Sequence, residues 1–202
     1  MITLYDFPLS GHAHRVRLML SLLNLEYERV HVKLDQSEHL KEPFTQLNPF
    51  QQVPVLSDDD FIVRDSVAIL CYLAGKYGPE WYPQNPESIA RIQEWLAIAT
   101  KEIALGPASA RLVTVFGANL NHQHVIEESH KLLYRINDHL SDRQWLALDK
   151  VCIADVAAYT YIAHAPEGDV SLEMYPNVIS WLSRIEVLPG FVAMDKTLTE
   201  TA

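Results

Sequence analysis

The stretch Leu47-Asn48-Pro49-Phe50-Gln51-Gln52-Val53-Pro54-Val55-Leu56 decides how this chain is read. Asn48-Pro49 ends any helix that precedes it, because proline disfavours the helical conformation in the residue before it. The aliphatic run that follows suits a strand, but it carries a proline at its start. Proline brings no N–H to a β ladder and is confined to strand starts, edges and bulges. The main chain of Val53 is therefore left free to pair with something other than a neighbouring strand.

Upstream, β-like runs alternate with helical patterns, as in an α/β layer. Residues 2–5 read as a strand, broken by the loop Asp6-Phe7-Pro8-Leu9-Ser10-Gly11. Val16, Leu20 and Leu23 then recur at helical spacing, and a second strand is expected over about residues 27–32. The polar stretch 36–47 is expected to be helical. Downstream, strands at 53–56 and 61–63 flank the acidic turn Ser57-Asp58-Asp59-Asp60, and Asp65-Ser66 opens an apolar-periodic helix to Tyr77. Residues 1–78 thus read βαβαββα. Residues 79–86, rich in proline, read as a linker. From 87 to 202 every strong pattern is helical, over about 89–116, 123–140, 154–163 and 175–185, so the second domain is expected to be all-α.

With 49% hydrophobic and 21% charged residues, the chain has ample material for a packed core. Its formal charge of −10 argues against a nucleic-acid or anionic-membrane surface, since both need a basic footprint. Any acidic ligand must find a local basic pocket. No apolar run approaches the ~20 residues of a membrane span, and the N-terminus lacks the pattern of a signal peptide, so a cytoplasmic location is expected. Cys71 and Cys152 have neither redox-pair nor metal-ligand spacing, so no disulfide or metal framework is expected.

Taken in order, these motifs resemble the cytosolic glutathione S-transferases, which carry an LNPxGQVPxL stretch, and among them the serine-type bacterial branch. The N-terminal loop, the Val53-Pro54 segment, Asp65-Ser66, the proline linker and the late Ile153-Ala154-Asp155-Val156-Ala157-Ala158-Tyr159 occur in family order over nearly the whole chain. The resemblance implies a thioredoxin-like α/β domain followed by an all-helical substrate domain, a homodimer, and glutathione as co-substrate with no metal. It also implies a cis bond before Pro54, with the Val53 N–H and C=O pairing with the cysteinyl backbone of glutathione. Two positions depart from the pattern. Gln51 stands where the family often has glycine, and Cys152 replaces the Ser or Thr that usually opens the late helix. Asp155 can still reach back to the Cys152 N–H.

Asp65-Ser66 sits at a helix start, where unpaired N–H groups and partial positive charge suit a carboxylate, and Asp65 can receive an ammonium. The resemblance assigns this pair the γ-glutamyl end of glutathione, and it assigns His39, helped by Lys41 and Gln52, the glycyl carboxylate. Ser10 is the expected thiol activator, with Arg15 five residues on as in the serine branches. A cysteine-like thiol with pKa near ~8.5 is only a few per cent ionised at neutral pH, and about two units of lowering needs roughly 2.7 kcal/mol. One hydroxyl bond to the thiolate, about 1.5–3 kcal/mol, nearly supplies that. Serine before a helix also serves as a plain N-cap. Tyr5, the activator position of other branches, is offset by one residue onto the opposite strand face and is expected in the core. Cys71 and Cys152 are expected to be buried small hydrophobes, and His12 and His14 to pack or be solvated at the helix start.

The electrophile pocket is expected between Phe7 and Leu9 and a stripe on the long helix comprising Leu105, Ser109, Leu112 and Phe116. The function expected is attack of a glutathione thiolate on a small hydrophobic electrophile. Alternatives on the same site are peroxidase, disulfide reductase or isomerase activity, and a different class is a non-catalytic binding protein.

Overall fold

The structure, a computed structural model, describes residues 1–197. The end of the expected helical domain, 198–202, lies outside the described residues. β1 (Ile2–Asp6), α1 (Gly11–Leu22), β2 (Glu28–His31), α2 (Phe44–Leu47), β3 (Val55–Asp58), β4 (Phe61–Arg64) and α3 (Ser66–Tyr77) form a thioredoxin-like domain. Its mixed sheet runs β2-β1-β3-β4, with β1 and β2 parallel across α1 and the other pairs antiparallel. Alternation in β1 assigns the faces. Ile2 and Leu4 join Leu56 and the apolar sides of α1 and α3 in the main core. Tyr5 points the other way, into a small cluster around Val32, Phe44 and Val55. β3 begins at Val55 rather than at 53, since Pro54 has no N–H for the ladder.

The expected helix over 36–47 is instead broken into pieces. Ser37 takes φ 56° between two short 3-10 turns, and a left-handed residue cannot continue a right-handed helix. Pro43 then stands at the start of α2, and Asn48-Pro49 ends that helix after a single turn.

The C-terminal domain is all-helical: α4 (Pro86–Thr100), α5 (Ser109–Phe116), α6 (His122–His139), α7 (Ile153–Ala163) and α8 (Pro176–Glu186). The single helix expected over 89–116 is therefore two, joined through a π-helical turn, Ala104–Ala108, that contains Pro107. A proline in a regular helix loses its bond to the preceding turn and its ring collides there. The wider turn accommodates it and rotates the helix face that follows.

α7 is buried on nearly every side and packs against α1, α3 and α4. Its start is fixed by Asp155, fully buried, which accepts the Cys152 N–H at 3.0 Å, the Leu146 N–H at 3.0 Å and the Trp181 indole N–H at 2.9 Å. The junction with α1 is polar as well as apolar: His14 meets Thr160 Oγ1 at 2.8 Å and the Val192 carbonyl at 2.9 Å. At Gly11 a β-carbon would lie 2.6 Å from the Tyr161 ring, so only glycine lets α1 begin this close to α7. Among the described residues no helix is long and apolar enough to cross a membrane.

Candidate functional site

A cavity of about 830 Å³ opens between the two domains, above the N-termini of α1 and α3. Phe7, Leu9, Ser10, His39, Gln52, Val53, Pro54, Asp65, Ser66 and Leu112 all line it, as does Phe116. Leu105 and Ser109 do not. Leu105 is 64% exposed, and the Ser109 hydroxyl turns back to the Ala104 carbonyl at 2.9 Å. The π turn shifts the inward stripe by one residue, so that Ala104 and Ala108 take those places.

Ser10 is the N-cap of α1. Its Oγ accepts the Ala13 N–H at 3.2 Å, and its own N–H donates to the Phe7 carbonyl at 2.9 Å. Among the described residues the hydroxyl hydrogen is donated to nothing, and it remains available on the cavity wall. The loop before it is braced: Arg17 Nη2 donates to the Pro8 carbonyl at 2.9 Å, and Arg111 Nη1 to the Leu9 carbonyl at 3.0 Å.

Between His12 on α1 and Ser66 at the start of α3 lies Arg15, fully buried. Its Nη1 lies 3.0 Å from His12 Nδ1 and donates to Ser66 Oγ at 3.4 Å, its Nη2 donates to the Ala99 carbonyl at 3.4 Å, and its guanidinium stands 5.2 Å from the Tyr161 ring centre. Burial lowers its pKa from the ordinary value, against the opposing influence of Tyr161 and Asp65. Burial, then Arg15, holds His12 down to about 3, so that histidine is a neutral acceptor for Arg15 at Nδ1 and lines the cavity uncharged. His14 is remote from the cavity, occupied by Thr160 and Val192.

Asp65 adopts φ 70° and caps α3, its Oδ1 accepting the Val67 N–H at 2.9 Å and the Ala68 N–H at 3.1 Å. Oδ2 is left for another donor. Across the cavity the Val53-Pro54 bond is cis, and neither the N–H nor the C=O of Val53 is hydrogen-bonded among the described residues. Its loop holds itself, with Asn48 Nδ2 donating to the Gln52 carbonyl at 2.7 Å and Asn48 Oδ1 accepting the Phe50 N–H at 3.0 Å. Gln51 stands at φ 58°, a left-handed conformation that costs a residue with a side chain about 1–2 kcal/mol and glycine essentially nothing.

His39 reaches the cavity from a short 3-10 turn, its Nδ1 buried without a partner among the described residues. Lys41 is not brought to the cavity; its Nζ donates to the Gln36 carbonyl at 3.0 Å. Tyr5 packs edge-on to Phe44 and does not line it either. Cys71 is half-buried on α3 and Cys152 fully buried, and burial raises the pKa of both thiols.

Among the cavity residues that escape the sequence reading are Arg64, Arg111 and Tyr161, beside Leu34, Asp35, Ala104 and Ala108. Burial raises the Tyr161 phenol above its ordinary range, against Arg15 and Arg111, so it remains a neutral hydroxyl. The unpartnered buried side-chain polar atoms among the described residues are Arg15 Nε, His39 Nδ1 and Arg111 Nη2, all at or beside this cavity. The acidic chain thus sets two guanidinium groups with unpaired N–H donors at or beside this cavity.

Comparison with known proteins bears on the family and the fold. Residues 1–75 match the family described as "Glutathione S-transferase, N-terminal domain", and residues 121–189 that described as "Glutathione S-transferase, C-terminal domain". The chain is 30% identical to glutathione S-transferase theta-1 of Bos taurus, over 95% of this chain and 85% of that one. It is 31% identical to glutathione S-transferase 1 of Manduca sexta, over 93% and 89%. The crystal structure of a glutathione S-transferase from Pseudomonas fluorescens superposes with a TM-score of 0.91 at 27% identity, covering 96% of this chain and 99% of that one.

Proposed function

The chain belongs to the glutathione S-transferase family, and on that premise we propose that it is a serine-type glutathione transferase acting on small apolar electrophiles. The observation that carries the reading is the double use of Ser10. Its oxygen is engaged as an N-cap while its hydrogen is free, on the same cavity as Val53 and the Asp65-Ser66 helix start.

The Val53 N–H and C=O take the cysteinyl main chain of glutathione, Ser66 and Asp65 the γ-glutamyl carboxylate and ammonium, and His39 with Gln52 the glycyl carboxylate. The sulfur then lies by Ser10, whose hydroxyl donates to the thiolate as the thiol proton passes to water. Arg15, a buried cation without a carboxylate partner among the described residues, adds a favourable field. No general base is needed. The thiolate attacks an electrophilic carbon held among Phe7, Leu9, Leu112 and Phe116, forming the C–S bond as the leaving group departs. The reading includes a cytoplasmic homodimer, favoured by the exposed rings of Phe50 and Phe61.

Calorimetric titration with glutathione and with γ-glutamylcysteine tests the binding half. Glutathione should bind more tightly, and His39→Ala should abolish the difference. Assays with an aryl halide, an organic hydroperoxide and a mixed disulfide test the chemistry. Background rates with all three, unchanged by Ser10→Ala, would overturn the catalytic claim, and absence of glutathione binding at millimolar concentration would point to a non-catalytic binding protein.

A further inference from the structure

Three successive carbonyls lead into Ser10, and each has a donor. Phe7 receives the Ser10 N–H itself, and Pro8 receives Arg17, whose Nη1 is in turn held by the buried Asp6 at 2.6 Å. Both belong to the α/β domain. The third, Leu9, is held from the helical domain, by Arg111 Nη1 at 3.0 Å.

Arg111 is only 2% exposed and is seated before it reaches Leu9. Its Nε donates to Glu167 Oε2 at 2.6 Å, and Glu167 also meets His164 Nδ1 at 2.8 Å, the Thr197 N–H at 3.1 Å and the Thr197 hydroxyl at 2.7 Å. The main chain under Glu167 is equally fixed. The Thr114 hydroxyl donates to its carbonyl, and at Gly168 a β-carbon would lie 2.5 Å from the Arg111 nitrogen, so this turn lies directly on α5. Besides Glu167, the titratable groups around Arg111 are His164 on the same turn, with Lys196 near it, and Tyr161 on α7. Burial keeps His164 below its ordinary range and Tyr161 above, so neither brings a charge that competes with the pair at neutral pH.

A guanidinium bound by its Nε edge to a carboxylate presents its other nitrogens in a fixed plane, which a lysine ammonium cannot reproduce. We propose that the Arg111–Glu167 pair is a positioning device that holds the Leu9 carbonyl, and through it the direction of the Ser10 hydroxyl, so that thiol activation in the α/β domain is set from the helical domain. The inference rests on the reading of Ser10 as thiol activator. Arg111 acts here as a positioning residue, through Leu9.

The measurement is the pKa of enzyme-bound glutathione, followed by ultraviolet absorbance of the thiolate, in Arg111→Met, Arg111→Lys and the milder Glu167→Gln. Loss of the clamp should raise that pKa by about one unit, a tenfold loss of thiolate at a given lower pH. kcat at neutral pH should fall accordingly and recover in alkali, with KM for glutathione within about twofold of wild type. Lysine should fail to rescue the pKa, and Glu167→Gln should shift it less but in the same direction. A wild-type thiol pKa in folded Arg111→Met overturns the proposal, as does full rescue by Lys, which would make the effect one of charge. Should Arg111→Met not fold, Glu167→Gln decides: no shift there overturns the proposal. Ser10→Ala separates the two readings. If it moves the pKa and the clamp variants do not, only this inference fails; if it moves nothing, the assignment of Ser10 fails first.

Discussion

Ser10 Oγ accepts the Ala13 N–H at 3.2 Å from a position on the cavity wall, so one hydroxyl caps α1 and offers its hydrogen to a ligand. The two roles separate by substitution. Ser10→Ala should lose the cap, about 1 kcal/mol of stability, and the bond to the thiolate, about 1.5–3 kcal/mol or one to two pKa units of the bound thiol. Ser10→Asp keeps a good cap but sets a negative charge beside the sulfur. Its urea midpoint should stay near wild type while its bound thiol becomes at least as weak an acid as in the alanine variant. Equal stability loss in both variants would show that the side chain contributes no cap.

The order of elements is readable because each is announced locally: alternation in β1, helical periodicity in α1 and α3, prolines at 49, 54 and 86. The same locality explains the errors. Within 36–47 the break comes from a left-handed Ser37, a conformation that a serine does not advertise. In the long helix Pro107 signals a disturbance, but not that a π turn will absorb it and re-aim Leu105 outward. Arg111 falls outside the stripe expected on that helix, and its partners are Leu9 and Glu167, which no spacing rule joins to it across so much sequence. The glycine at 11 was the one available hint of Tyr161, since a side chain there would strike its ring.

The re-aimed stripe makes a direct contrast. Leu112 lines the cavity and Leu105 does not. Removing apolar area from a substrate pocket costs about 1–3 kcal/mol of transition-state binding. Leu112→Ala should therefore lower kcat/KM for an aryl electrophile about tenfold, with glutathione affinity unchanged, whereas Leu105→Ala should stay within about twofold. Equal losses in steady-state assays would place the pocket elsewhere on the helix.

Asp155 is a matter of folding rather than chemistry. Replacing it by alanine strands three buried N–H groups, those of Cys152, Leu146 and Trp181, each costing about 1–3 kcal/mol when left unpaired. Asp155→Ala should lose at least about 3 kcal/mol in urea unfolding. The glutathione affinity of the fraction that remains folded should be normal, because the carboxylate lies in the α7–α8 core. A stable variant with altered ligand binding would contradict that division of labour.

The junction of α1 and α7 should make the protein sensitive to acid. His14 is fully buried, and its pKa is held down to about 3, first by burial, partly offset by the Val192 carbonyl and then reinforced by Arg17 and His164. An unfolded chain returns it to 6.5. Between these values the unfolded state binds the extra proton, so stability must fall as pH falls, by about 1.4 kcal/mol per unit from this residue alone. His12, depressed to about 3 as well, adds to the slope in the same window. Above pH 6.5 both histidines are neutral in either state and contribute no slope. Urea midpoints should accordingly be flat from pH 8 to 7 and decline steadily from 6 to 4. His14→Gln, which can still hydrogen-bond to Thr160 without taking up a proton, should reduce the slope by about one proton even where it lowers stability at pH 7. An undiminished slope in that variant would mean that the acid sensitivity resides in other groups.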